Sequence, residues 1–105
     1  MSANIAQRST ERPHDQPVLS IRASVPESEA GEFVAGALHD IRVYLQEHHE
    51  RPAGPPFSIR WPAGRAMDIE AGLPTEARLP GSGRIHGGAL PRSLLEPETG
   101  WNLPD

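Results

Sequence analysis

Residues 48–60, "HHERPAGPPFSIR", decide how this chain folds. Up to His49 the sequence has the period of a helix, and from Phe57 onward it has that of a strand. Between them stand Pro52, Gly54, Pro55 and Pro56. Pro52 is predicted to stop the helix, because a proline has no N–H to continue the ladder. Gly54 is predicted to reverse the chain at positive φ, which other residues adopt at a cost. Pro55 and Pro56 keep the return extended and stiff.

Upstream, Ala30, Val34, Ala37, Leu38, Ile41, Leu45 and His48 recur at the 3.6-residue period, with Phe33 and Tyr44 on the flanks. Glu32, His39, Gln46 and Glu50 occupy the other side. An amphipathic helix of about six turns over residues 27–50 is expected. Ser28 is the expected N-cap, and Glu29 and Glu32 suit the positive end of the helix dipole. Before it, "PVLSIRASVP" (17–26) alternates Leu19, Ile21, Ala23 and Val25 against Ser20, Arg22 and Ser24, the pattern of a half-buried strand.

Downstream, Phe57, Ile59 and Trp61 face one way, and Ser58 and Arg60 the other. "PAGR" (62–65) reads as a tight connection. "AMDIEAGLP" (66–74) then alternates with Met67, Ile69, Ala71 and Leu73 inward, Asp68 and Glu70 outward. "GSGRIHGGALP" (81–91) supplies one more short strand around Ile85. The fold class is α+β: a βαββ unit with one long amphipathic helix on a three- to four-stranded antiparallel sheet. Leu19, Ile21, Val34, Leu38, Ile41, Leu45, Ile59 and Ile69 are the expected core. Residues 1–16 and 92–105 show no clear period and read as a flexible N-terminal tail and an irregular C-terminal one.

The chain has 105 residues, enough for one small domain. It contains no Cys, so disulfides, thiolate metal sites and a cysteine nucleophile are excluded. Formal net charge is −4, and all ten basic residues are scattered Arg, with no basic stripe to follow a phosphate backbone. Direct nucleic-acid binding is not expected. No apolar run approaches the ~18 residues of a membrane span. The polar N-terminus lacks a signal peptide's apolar core, which points to the cytoplasm.

Asp68 and Glu70, two apart on a strand, share a face and could hold a cation; the plainer reading is a solvated face with Arg60 opposite as a cross-strand ion pair. His48 and His49 are adjacent on a helix and so point about 100° apart, unlike a metal-binding i, i+4 pair. No metal is expected there, even with His39 or His86 nearby. "GSGRIHGG" matches neither common phosphate-loop spacing. Among the aromatics, Trp61 at a strand end is the best ligand candidate, while Tyr44 and Phe33 suit core packing.

The order "VYLQEHHERPAGPPFSIRW", "MDIEAGLP", "PGSGRIHGGALP" resembles the GyrI-like, or AraC-type effector-binding, small-molecule-binding family over about residues 17–91. The shared features are Tyr44–His48 at the helix end, Ala53–Phe57 in the return, and Asp68, Glu70 and Gly72 in the following strand. The resemblance implies an SHS2-type domain. Family domains look like two such βαββ halves about a pseudo-twofold axis with the ligand between them. This chain carries the first half and the opening strand of a second. The implied function is binding of a small effector, as a stand-alone sensor or regulator of transcription; some relatives look like hydrolases, but the acidic residue they would use is not identifiable in this sequence, and no enzymatic activity is expected. The alternatives are a protein-interaction module or a truncated, non-functional relative. The implied ligand is hydrophobic or cationic, held by Trp61, Tyr44, Asp68, Glu70 and Arg60, without a cofactor. An exposed sheet edge allows a homodimer.

Overall fold

A computed structural model describes residues 15–95. The sequence expectations for residues 1–14 and 96–105 lie outside the described residues. The described chain divides into two compact units, residues 17–88 and the flanking segments 15–16 and 89–95. In the second of these, Arg92–Leu94 forms a single 3₁₀ turn, and the Arg92 guanidinium donates to Gln16 Oε1 at 3.0 Å.

The described residues form an α+β fold, with one long helix and a five-stranded antiparallel sheet. Strand β1 (Gln16–Pro26) leads through a 3₁₀ turn at Glu27–Glu29 into helix α1 (Ala30–Glu47). Strands β2 (Phe57–Ala63) and β3 (Ala66–Pro74) follow as a hairpin, and β4 (Gly81–Ser82) and β5 (Ile85–Leu90) as a second one. The sheet order is β2-β3-β1-β5-β4, so β1 lies at its centre. The expected three to four strands are thus five, with β5 at the predicted position around Ile85.

Helix α1 covers one sheet face. Leu19 and Ile21 of β1 and Ala71 and Leu73 of β3 form a core with Ala37, Ile41, Tyr44 and Leu45 of the helix. Ile41, Leu19 and Ile69 are fully buried. Val34 and Leu38 are half-buried and pack against that core.

The helix is shorter than predicted at both ends. The first turn is taken by the 3₁₀ segment, which draws Ser28 into a tight turn, so Ser28 is not the N-cap and no side chain caps this end. At the other end the chain reverses at His49, not at Gly54. His49 is left-handed (φ 57°), its N–H donates to the Gln46 carbonyl (3.2 Å), and Glu50 N–H donates to the Leu45 carbonyl (2.8 Å). These two bonds form a Schellman motif, whose reversed residue is most often glycine. Pro52 therefore lies beyond a stop already made. Gly54 has no positive φ; its value is closeness, since a Cβ there would meet Pro74 Cγ at 3.3 Å.

His49 thus holds a conformation costing about 1–2 kcal/mol for an ordinary L-residue. Replacing it by glycine should stabilise the protein by about 1 kcal/mol, raising the melting temperature by about 5 °C. Thermal denaturation followed by circular dichroism checks this; no increase would mean that the His49 side chain contributes as much as its backbone costs.

In the β2–β3 hairpin Ala63 pairs with Ala66, which leaves Gly64 and Arg65 as a two-residue turn with Gly64 at φ 63°. Such a turn matches the right-handed twist of its strands when glycine leads it. Its consequence is register. Phe57, Ile59 and Trp61 pair with Gly72, Glu70 and Asp68, whereas Ser58 and Arg60 pair with Ala71 and Ile69. Paired residues share a face, so Ile59 lies on the face away from the helix and is not part of the core.

Candidate ligand-binding face of the sheet

The face away from α1 is a three-by-three array of side chains. Its rows, running β1–β3–β2, are Ser20, Gly72 and Phe57; Arg22, Glu70 and Ile59; and Ser24, Asp68 and Trp61. The strand alternation of each segment supplies three members, and the two registers align them. Its two ends differ. Ser20 and Gly72 are buried, while Arg22, Ser24 and Trp61 are exposed. Gly72 has no side chain to separate its neighbours, so the Phe57 ring and Ser20 close over it.

Two contacts organise the array. The Ser20 hydroxyl donates to Glu70 Oε2 at 2.6 Å, a short charge-assisted bond that fixes the carboxylate above the strand. The Arg22 guanidinium lies over the Trp61 ring, 4.6 Å from its centroid. To reach that ring Arg22 crosses β3, since Trp61 is two strands away. A cation over an indole is held by the ring's negative face, worth about 0.5–1 kcal/mol at an exposed site. Asp68, directly across from Trp61, is half-buried and makes no hydrogen bond or ion pair among the described residues.

Three of the predicted ligand residues therefore meet: Trp61, Asp68 and Glu70. Two do not. Arg60 pairs with Ile69 and belongs to the helix-covered face, so the predicted ion pair between Arg60 and the two carboxylates cannot form. Tyr44 is in the core on the far side of the sheet, 5% exposed. Its hydroxyl accepts the Gly81 N–H (3.2 Å) and its ring stacks on His48, with centroids 4.0 Å apart. His48 in turn donates from Nδ1 to the Tyr44 carbonyl at 2.9 Å. This histidine works as a helix-end brace.

In the sequence, Ser20 and Arg22 are legible only as members of an outward strand face. The even length of the "PAGR" connection carried the missing signal, because it sets Trp61 on the same face as Asp68 and Glu70. The apolar character of Phe57, Ile59 and Trp61 argued for the core and outweighed it.

On the exposed side of α1, two hollows of about 390 and 400 Å³ share His39 and Val43. Of the predicted ligand residues only Tyr44 borders either one. Arg84 bridges to Asp40 at 2.6 Å beside the second hollow, an exposed pair of small energetic weight. Among the described residues, no group of three His, Cys, Asp or Glu side chains is arranged to hold a metal. Among them, too, no helix is long and apolar enough to cross a membrane.

No family model matches this chain, and no curated protein matches it.

Proposed function

We propose that the array around Trp61 binds a small planar cationic or aromatic molecule, and that the protein is an effector-binding module of the GyrI-like kind acting as a sensor or regulator. One observation carries this reading: Arg22 already lies on the Trp61 ring, beside two carboxylates on the intervening strand. A flat cation on an indole with acidic neighbours is the arrangement by which proteins take up organic cations. Arg22 plays the ligand's part in the free protein. An incoming cation replaces it on the ring and gains Asp68, which no other group among the described residues engages. This reading is of a binding module and assigns no catalytic step.

The chain has two Trp, so the Trp101→Phe variant isolates Trp61 emission. Titrating that variant with a panel of planar cationic dyes should give saturable quenching. Trp61→Ala and Asp68→Asn, followed by dye anisotropy, should each weaken binding at least tenfold, about 1.4 kcal/mol. Arg22→Ala should strengthen it, because the internal competitor is gone. Quenching that stays linear in dye concentration, or that is indifferent to Asp68, would overturn the proposal.

A further inference from the structure

Strand β2 is an edge of the sheet, and its backbone indicates what can be added there. A two-residue turn makes the pair that closes it, Ala63 and Ala66, a hydrogen-bonded pair, and bonded pairs then alternate along the ladder. Phe57, Ile59, Trp61 and Ala63 accordingly bond inward to β3. The outward groups belong to residues 56, 58, 60 and 62. Of these, Pro56 and Pro62 have no N–H, so prolines stand where no inward donor is required. The free edge offers two donors, Ser58 and Arg60, bracketed by prolines. The opposite edge, β4, is only two residues long.

We infer that this edge pairs with the same edge of a second copy of the chain, in one register. A twofold axis perpendicular to the sheet brings two β2 strands together antiparallel, with their outer faces on the same side. Three registers engage all four donors. One sets Arg60 directly opposite the partner's Arg60, a like-charge contact that destabilises a sheet. Another leaves Trp61 opposite the partner's Pro55. The third sets Ser58 opposite the partner's Arg60, both ways round, and satisfies the four donors in two complete two-bond pairs. In that register Pro62 meets the partner's Pro56, so the donor-free positions face each other. Ile59 meets the partner's Ile59 on the axis, and Trp61 meets the partner's Phe57.

The side chains favour the third register. Trp61 is 37% exposed, and Phe57 and Ile59 are half-buried, so each gains an apolar neighbour. Aromatic and β-branched pairs across antiparallel strands are the stabilising kind. The pairing uses up both β2 edges, and the β4 edges left open are only two residues long, too short to recruit further strands readily. The second copy thereby contributes its Phe57 to the Trp61 array, giving the ring a wall on the side where β2 otherwise ends. This inference stands apart from the proposed ligand: it rests on the backbone of β2 and is tested without one.

The absence of cysteine provides the test. In the inferred register, Ile59 and its symmetry mate form a non-hydrogen-bonded pair, with Cα atoms about 4.5 Å apart. That lies within disulfide range, whereas the two Arg60 Cα atoms, offset by two residues along the strands, lie beyond the roughly 7 Å limit. Ile59→Cys should cross-link to a dimer under mild oxidation at least ten times faster than Arg60→Cys. Sedimentation of the unmodified chain over roughly 1–100 µM should show concentration-dependent dimer, as suits a small interface. Ile59→Lys, which puts two like charges on the axis, should be monomeric throughout with its circular dichroism unchanged. A monomer mass for the unmodified chain at the top of that range would overturn the inference. So would equal cross-linking of the two cysteine variants, or a dimer that survives a folded Ile59→Lys.

Discussion

Gly72→Ala is expected to destabilise the protein by at least about 3 kcal/mol, the upper end of what overpacking costs. Gly72 sits in β3 between β1 and β2, paired with Ser20 on one side and Phe57 on the other. A Cβ built there collides with the Leu19 carbonyl oxygen and lies 2.8 Å from Phe57 Cζ and 2.9 Å from Ser20 Cβ. Phe57 can rotate away, but the Leu19 oxygen is backbone of the central strand and cannot. Relief therefore requires β1 and β3 to separate where Leu19 and Leu73 anchor the core. The damage should reach the candidate site as well, since Ser20, directly opposite Gly72, is the residue that holds Glu70 from the diagonal position. Gly36→Ala is the contrast: nothing lies within 4 Å of a Cβ on that helical glycine. It should stabilise by about 0.5–1 kcal/mol, the helix-propensity gain. Urea unfolding of both variants measures the pair. A Gly72→Ala midpoint near that of the unmodified protein would mean that the two strands have room the geometry denies them.

Ile41→Ala should cost about 2–5 kcal/mol, through lost transfer energy and the cavity left behind. Ile41 is 0% exposed and faces the sheet among Leu19, Ile21 and Leu73. The neighbours that might collapse into the space are strand side chains held by ladder bonds on both sides, so little relaxation is available. For a domain whose whole stability is about 5–15 kcal/mol, this is a large fraction. The melting temperature should fall by at least about 10 °C. Val43→Ala, two residues along the same helix and 37% exposed, should change stability by less than about 0.5 kcal/mol. Similar losses for the two variants would mean that the helix face had been assigned wrongly.

The elements themselves were legible in the sequence because each is set by neighbours a few residues apart. The 3.6-residue stripe through Ala37, Ile41 and Leu45 identifies the helix and its buried side. The alternation in residues 17–26 and 66–74 identifies two strands whose apolar set can lie only against that stripe. Gly64 marks the hairpin turn. The end of the helix was harder to read. Pro52 and Gly54 are the strongest breakers in "HHERPAGPP", yet the chain turns at His49, where two backbone bonds to Gln46 and Leu45 outweigh an unfavourable φ. A Schellman motif without its glycine leaves no compositional mark.

What the sequence by itself determined is the order of elements, the helix's apolar face and the inward set of β1 and β3. Tertiary structure decided that the β2–β3 turn closes on Gly64 and Arg65, that β5 lies beside β1, and hence which candidate residues sit directly opposite one another. Local alternation divides Phe57, Ile59 and Trp61 from Ser58 and Arg60 but does not say which group faces the core. That choice was made by the hairpin register: pairing Trp61 with Asp68 couples the aromatic set of β2 to the acidic set of β3, whose other face is committed to the helix. A one-residue slip would have exchanged all three β2 members of the array. The site owes its composition to that register. An apolar strand face gave up the core because Ile69, Ala71 and Leu73 on the neighbouring strand filled it, and Trp61 was left beside Arg22, Asp68 and Glu70.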